Sequence, residues 1–63
     1  MKSNELAEIT KFAEEMPLTQ DDEWHSYSDS IDVNIWVDED GRHAEVYFVR
    51  DGIICVNDSI FLF

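Results

Sequence analysis

The sequence predicts an α+β fold in which one N-terminal helix packs on an antiparallel meander sheet of three to four strands. Three observations predict it. Apolar residues recur at three- and four-residue steps near the N-terminus, they alternate with a period of two from Ile31 onward, and two Asp-Gly pairs punctuate that second region. At 63 residues the chain is expected to form a single domain spanning 1–63, close to the lower size limit for a self-sufficient core.

The stretch "SNELAEITKFAEEMP" reads as an amphipathic helix over about residues 4–16. Ser3 or Asn4 is suited to cap its first turn, and Glu5 lies near the positive end of the helix dipole. Leu6, Ile9, Phe12, Ala13 and Met16 form one apolar stripe, while Lys11 is spaced to pair with Glu8 and Glu15 on the opposite side. Pro17 lacks an amide hydrogen and disfavours helical geometry at Met16, so the helix should stop there.

"LTQDDEWHSYSDS" shows neither period and is acidic and Ser-rich, which predicts a surface loop over residues 18–30. Trp24 and Tyr27 are its only large rings. They serve either to tuck the loop against the core or, for Trp24, as a binding anchor of the kind enriched at interface centres.

Strands are expected at about 31–37, 42–50 and 53–57, with "IFLF" (60–63) as a short last strand or packed tail. With Asp40 and Gly41 as the two residues of a type I′ turn, Val37 would face Ala44, Ile35 would face Val46, Val33 would face Phe48 and Ile31 would face Arg50. With Asp51 and Gly52 in the same role, Val49 would pair with Ile54 and Tyr47 with Val56, and Ile53 and Cys55 would continue the core face. That register also sets Glu45 opposite Asp58, so pairing should end near Asn57. The outer face would then carry Trp36, Tyr47, Val49, Ile54 and Val56 among Asp32, Asn34, His43 and Glu45. It is either covered by the loop or tail, or is an apolar contact surface for self-association or a partner protein.

Several function classes are disfavoured. Cys55 is a lone cysteine, which allows no internal disulfide and no thiolate metal site, and it is expected to be a small buried hydrophobe. "DEDGRH" lacks the glycine position and distal Glu of an EF-hand loop, and "DDEWH" has no second ligand cluster, so no metal or other cofactor is expected. His25 and His43 have no nucleophile in a recognisable context, and His43 is expected to pair with Asp38 at the surface, so no enzyme is expected. No segment resembles a signal peptide or reaches membrane-spanning length, which makes the cytoplasm the expected compartment.

Charge is the dominant signal. Fifteen acids against four bases give a formal net charge of −11 and most of that excess lies after residue 20. Nucleic acid and anionic membranes are excluded as direct partners by repulsion, whereas a basic protein surface is favoured. Asp38, Glu39 and Asp40 are expected to project from one hairpin end, Asp32 and Glu45 to share the outer face, and Asp21, Asp22, Glu23 and Asp29 to lie in the loop. Alternate residues along a strand repeat every ~6.6 Å, so a sheet can hold carboxylates at fixed spacing against an array of Lys and Arg built for phosphates.

In size, acidity and pattern across the whole chain, though in no single motif, it resembles phage-encoded inhibitor proteins. Anti-CRISPR proteins, antirestriction proteins and uracil-DNA glycosylase inhibitors include acidic DNA mimics of this kind. The resemblance implies a protein inhibitor, most plainly an anti-CRISPR one, that occupies the nucleic-acid groove of a basic nucleic-acid-binding protein or complex in the host cytoplasm. The acids named above would supply the charge, with Trp24, Trp36 and Tyr47 as aromatic contacts. The alternative is a small dimerising adaptor or immunity-type protein that uses the aromatic sheet face.

Overall fold

The computed structural model of the chain describes residues 3–63, the side chains of residues 3 and 56 excepted. A helix, α1 (Ser3–Glu15), precedes four strands: β1 (Asp22–Ser28), β2 (Ile31–Asp38), β3 (Gly41–Arg50) and β4 (Ile53–Phe61). The strands form one antiparallel sheet in the order β1-β2-β3-β4, so the α+β meander is as expected. No helix among the described residues is long and apolar enough to cross a membrane.

The helix stripe and the alternating positions of the two central strands make the core. Ile9 and Ala13 from α1 meet Ile31, Val33 and Ile35 from β2 and Ala44 and Val46 from β3. Each is nearly or fully removed from water, which is worth roughly 1.5–3 kcal/mol for a side chain of Val or Ile size. Phe12, Met16, Phe48, Ile60 and Leu62 pack around this centre. At the helix start Asn4 Oδ1 accepts the Glu5 amide, and the alternative cap, Ser3, has its side chain outside the described atoms. Lys11 takes no part in the ion pairs among the described residues, which are His25–Glu23 and His43–Asp38.

The last helical turn carries Glu14 and Glu15 and no base, which places negative charge at the negative end of the dipole. Arg42 of β3 corrects this from across the molecule. Its guanidinium donates to the Glu14 carbonyl at 2.7 Å and the Met16 carbonyl at 2.6 Å, satisfying groups the helix leaves unpaired. The same residue's backbone holds the tail, since its amide donates to the Phe63 carbonyl and its carbonyl accepts the Leu62 amide.

Four expectations are corrected by the sheet. First, residues 22–28 of the expected loop form edge strand β1, with Glu23, His25 and Tyr27 on the helix side and Asp22, Trp24 and Ser26 on the outer side. Tyr27 and His25 both meet Phe12 edge-on, at 5.1 and 6.1 Å between centroids. Rings and a half-buried carboxylate supply the alternation here, so an aliphatic period of two is missing.

Second, the first hairpin is shifted by two residues. Ile31 pairs with Phe48, Val33 with Val46, Ile35 with Ala44 and Val37 with Arg42, and the turn residues are Glu39 and Asp40. A shift of two keeps every side chain on its expected face, which is why the hydrophobic pattern alone does not detect it. Neither turn residue has positive φ, so the turn is not type I′; the Asp38 carboxylate instead accepts the Asp40 and Gly41 amides at 2.9 and 3.2 Å. The second Asp-Gly pair does behave as expected, with φ of 54° at Asp51 and 78° at Gly52.

Third, β4 is one strand and does not break at Asn57. Val49 pairs with Ile54, but a bulge between Phe48 and Val49 advances the partner strand by one, so Tyr47 faces Asn57 and Glu45 faces Ser59. The slip removes the expected Glu45–Asp58 repulsion, and the ladder continues to Phe61. Fourth, Ile53 and Cys55 are exposed and do not extend the core: Ile53 adjoins the β3–β4 turn, and Cys55 is the extra residue of the bulge, with no partner on β3.

Two stability predictions follow from these contacts. Arg42→Ala leaves the two helix-end carbonyls without a charged donor and should lower the unfolding free energy by about 2 kcal/mol in urea titrations. Gly41 has φ of +134°, and a Cβ there would run into the Phe63 carbonyl, whereas Gly52 has open space around it. Gly41→Ala should therefore be clearly more destabilising than Gly52→Ala, whose cost should stay near ~1 kcal/mol from φ alone.

Candidate acidic and aromatic interface

Antiparallel pairing brings residues distant in sequence to one end of the sheet. Asp22 pairs with Trp36, and the Asp21 carbonyl accepts the Val37 amide at 2.8 Å. Asp21 and Asp22 therefore lie at the same end of the sheet as the Asp38–Gly41 turn, whose Glu39 and Asp40 are likewise exposed. Asp29 lies in the turn at the other end, while Asp32 and Glu45 stand half-buried on the outer face. Among the described residues no group of three or more His, Cys, Asp or Glu side chains is arranged to hold a metal ion.

Two of the nine expected contact acids hold local structure. Glu23 Oε2 accepts the Thr19 amide at 2.7 Å, the Gln20 amide at 2.9 Å and the Thr19 hydroxyl, while Oε1 meets His25 Nε2 at 3.1 Å. Those bonds, the Thr19 hydroxyl foremost, hold its pKa below the ordinary 4.5. Asp38 Oδ1 meets His43 Nε2 at 2.9 Å besides accepting the two turn amides, and the imidazole contact is the main reason its pKa lies below 3.8. The expected His43–Asp38 pair thus exists, although the strand partner of His43 is Trp36.

The outer face is a grid of three rows. Asp22, Trp36, His43 and Phe61 form one, Trp24, Asn34, Glu45 and Ser59 the next, and Ser26, Asp32, Tyr47 and Asn57 the third. In the first row His43 stacks on Trp36 at 5.2 Å and meets Phe61 edge-on at 5.1 Å. Trp24 leans across the sheet to Tyr47, with centroids 4.9 Å apart, and Asn34 lies buried between β1 and β3. Asn34 Nδ2 donates to Asp22 Oδ1 at 2.7 Å and to the Glu23 carbonyl at 3.1 Å. Glu45 Oε2 accepts from the Tyr47 hydroxyl and, at 3.2 Å, from Asn57 Nδ2. The Tyr47 phenol is pushed above its ordinary pKa of 10.0, first by that bond to a carboxylate and then by burial.

The two ring residues of the expected loop have separate placements: Tyr27 packs on the core, whereas Trp24 stays 59% exposed on the outer face. Ile54 and Phe61 are exposed to a similar degree, whereas Trp36, Tyr47 and Val49 are half-buried, so the face is covered only in part, with Trp24 of the expected loop on Tyr47 and Phe61 of the expected tail on His43. The Val56 side chain, expected on this face, lies outside the described atoms. Phe61 and Asn57 were missed as outer-face residues because their placement follows from the bulge.

Because Glu23 and Asp38 bind fewer protons when folded than when unfolded, they stabilise the fold above their ordinary values of 4.5 and 3.8, and that contribution is lost as pH falls through the lowered ones. The thermal midpoint should drop on acidification below that range, and the drop should be shallower in a Glu23→Gln, Asp38→Asn variant. Comparison with known protein families, with curated proteins and with solved structures finds no match to this chain.

Proposed function

We propose that this protein is a small acidic inhibitor that acts as a DNA mimic in the cytoplasm of a bacterial host. It occupies the nucleic-acid-binding groove of a host defence complex, and its activity is anti-CRISPR. The observation that carries this reading is the convergence of Asp21, Asp22, Glu39 and Asp40, all exposed, on one end of a hydrogen-bonded sheet. Like charges gathered at one end repel one another, and of the four only Asp22 holds another side chain, the Asn34 amide, which is what a surface kept for an oppositely charged partner looks like. With a net charge of −11 the chain would be steered toward a basic groove and would compete there with phosphate.

A second reading, a dimerising adaptor or immunity-type protein, is favoured by the exposed Trp24, Ile54 and Phe61 on the outer face. On that reading the acidity serves solubility.

The test is competition. Added to a guide-loaded CRISPR effector, the monomeric protein should prevent target DNA from binding, and its association should slow steeply as salt rises toward a Debye length of ~8 Å. Neutralising Asp21, Asp22, Glu39 and Asp40 to Asn or Gln, with Asp38 kept because it holds the turn, should weaken inhibition about tenfold or more at low salt. Unchanged inhibition by that variant rejects the electrostatic mechanism. A stable wild-type dimer in sedimentation that leaves DNA binding untouched favours the second reading.

A further inference from the structure

We propose that the outer face of the sheet is a docking surface for arginine side chains of the basic partner, one that meets the acidic end only at Asp22 and is selective for arginine over lysine. The inference rests on the preceding reading only in taking a basic protein as the partner. Two features of this face fit a guanidinium, the aromatic planes and the anchored carboxylates. Trp24 and Phe61 present rings that are 59% and 62% exposed, at opposite edges of the sheet. Between them Glu45 has His43 and Tyr47 as its same-face neighbours along β3, each ~6.6 Å away, which brings ring and carboxylate within reach of one planar cation.

The carboxylates are held in a particular way. Glu45 is fixed through Oε2 by Tyr47 and Asn57, and Asp22 through Oδ1 by Asn34. Glu45 Oε1 and Asp22 Oδ2 take no hydrogen bond among the described residues, so each anchored group keeps one acceptor oxygen without a partner. An arginine donates to such an oxygen while its plane lies on an indole, whereas a lysine ammonium is a strongly hydrated point charge that gains less from the ring.

Charge complementarity selects this occupant over a second copy of the chain. The described cations all lie elsewhere: Lys11 is on the helix, Arg42 is bound to the helix-end carbonyls, and Arg50 is exposed beside the β3–β4 turn. The face itself carries Asp22, Asp32 and Glu45, and a face-to-face dimer would press those acids against their own kind at a net charge of −11 per chain.

The experiment compares an oligoarginine and an oligolysine peptide of equal length at fixed salt, titrated into the isotope-labelled full chain and followed by amide and indole signals. The oligoarginine should bind about tenfold tighter and should move the Trp24 and Trp36 indoles and the Glu45 amide. Trp24→Ala and, separately, Glu45→Gln should bring the two peptides close to parity; preserved signal dispersion elsewhere shows that each variant is folded. Neutralising Glu39 and Asp40 should weaken both peptides alike and leave the preference in place. Equal affinities, shifts confined to residues 38–41, or a wild-type dimer that Trp24→Ala dissociates would each overturn the proposal. An arginine preference without DNA competition would reject the DNA-mimic reading and keep this one, and the converse result would do the opposite.

Discussion

The contact on which the arrangement depends is the bridge from Arg42 to the end of the helix. A short helix whose final turn carries Glu14 and Glu15 has its dipole and its charges in conflict, and its last carbonyls have no partners of their own. A single guanidinium answers both problems at once and joins the helix to a central strand of the sheet. The Arg42 side chain also lies 5.6 Å from the Phe63 ring, and its backbone pairs with Leu62 and Phe63, so helix, sheet and tail meet at one residue. The acidic cluster sits at this same end. The Arg42 junction of helix, sheet and tail thus lies at the same end of the sheet as the exposed Asp21, Glu39 and Asp40.

The bulge at Phe48–Val49 plays a comparable role for the outer face. Without it Glu45 and Asp58 would oppose one another, a like-charge pair that disfavours the ladder. With it, Asn57 and Ser59 become neighbours of Tyr47 and Glu45, and Asn57 hydrogen-bonds to Glu45. Asp58 moves opposite the buried Val46, on the helix side of an edge strand. An inward-facing charge at a sheet edge discourages pairing with further strands, which suits a chain with a long β4 and exposed Ile53 and Ile54.

The carboxylates fall into groups that composition cannot separate. Glu23 and Asp38 accept three or four hydrogen bonds each and organise the entry to β1 and the first turn. Asp22 and Glu45 are held by neighbouring amide and hydroxyl groups at chosen positions on the outer face. Asp21, Glu39 and Asp40 remain exposed at the sheet end. The three adjacent acids of "DED" are tolerated because the first of them is engaged by two amides and an imidazole, which stabilise its charged form.

What the sequence determined by itself were features set by neighbours a few residues away: the helix from its stripe and Pro17, the alternation of β2 and β3, and the Asp51-Gly52 turn. Only the tertiary structure decided β1, the registers and the division of labour among the acids. Residues 22–28 become a strand because β2 offers its free edge and Phe12 offers a surface to His25 and Tyr27, and neither condition is written in the segment itself. The two-residue shift of the first hairpin preserves every face, so it is invisible to an alternation pattern, and it follows from an Asp38 side chain that competes with the Asp-Gly pair for the turn. A bulge likewise depends on which residues end up opposite each other across two strands. Periodicity is a local property of the chain, whereas register and pairing are properties of its partners.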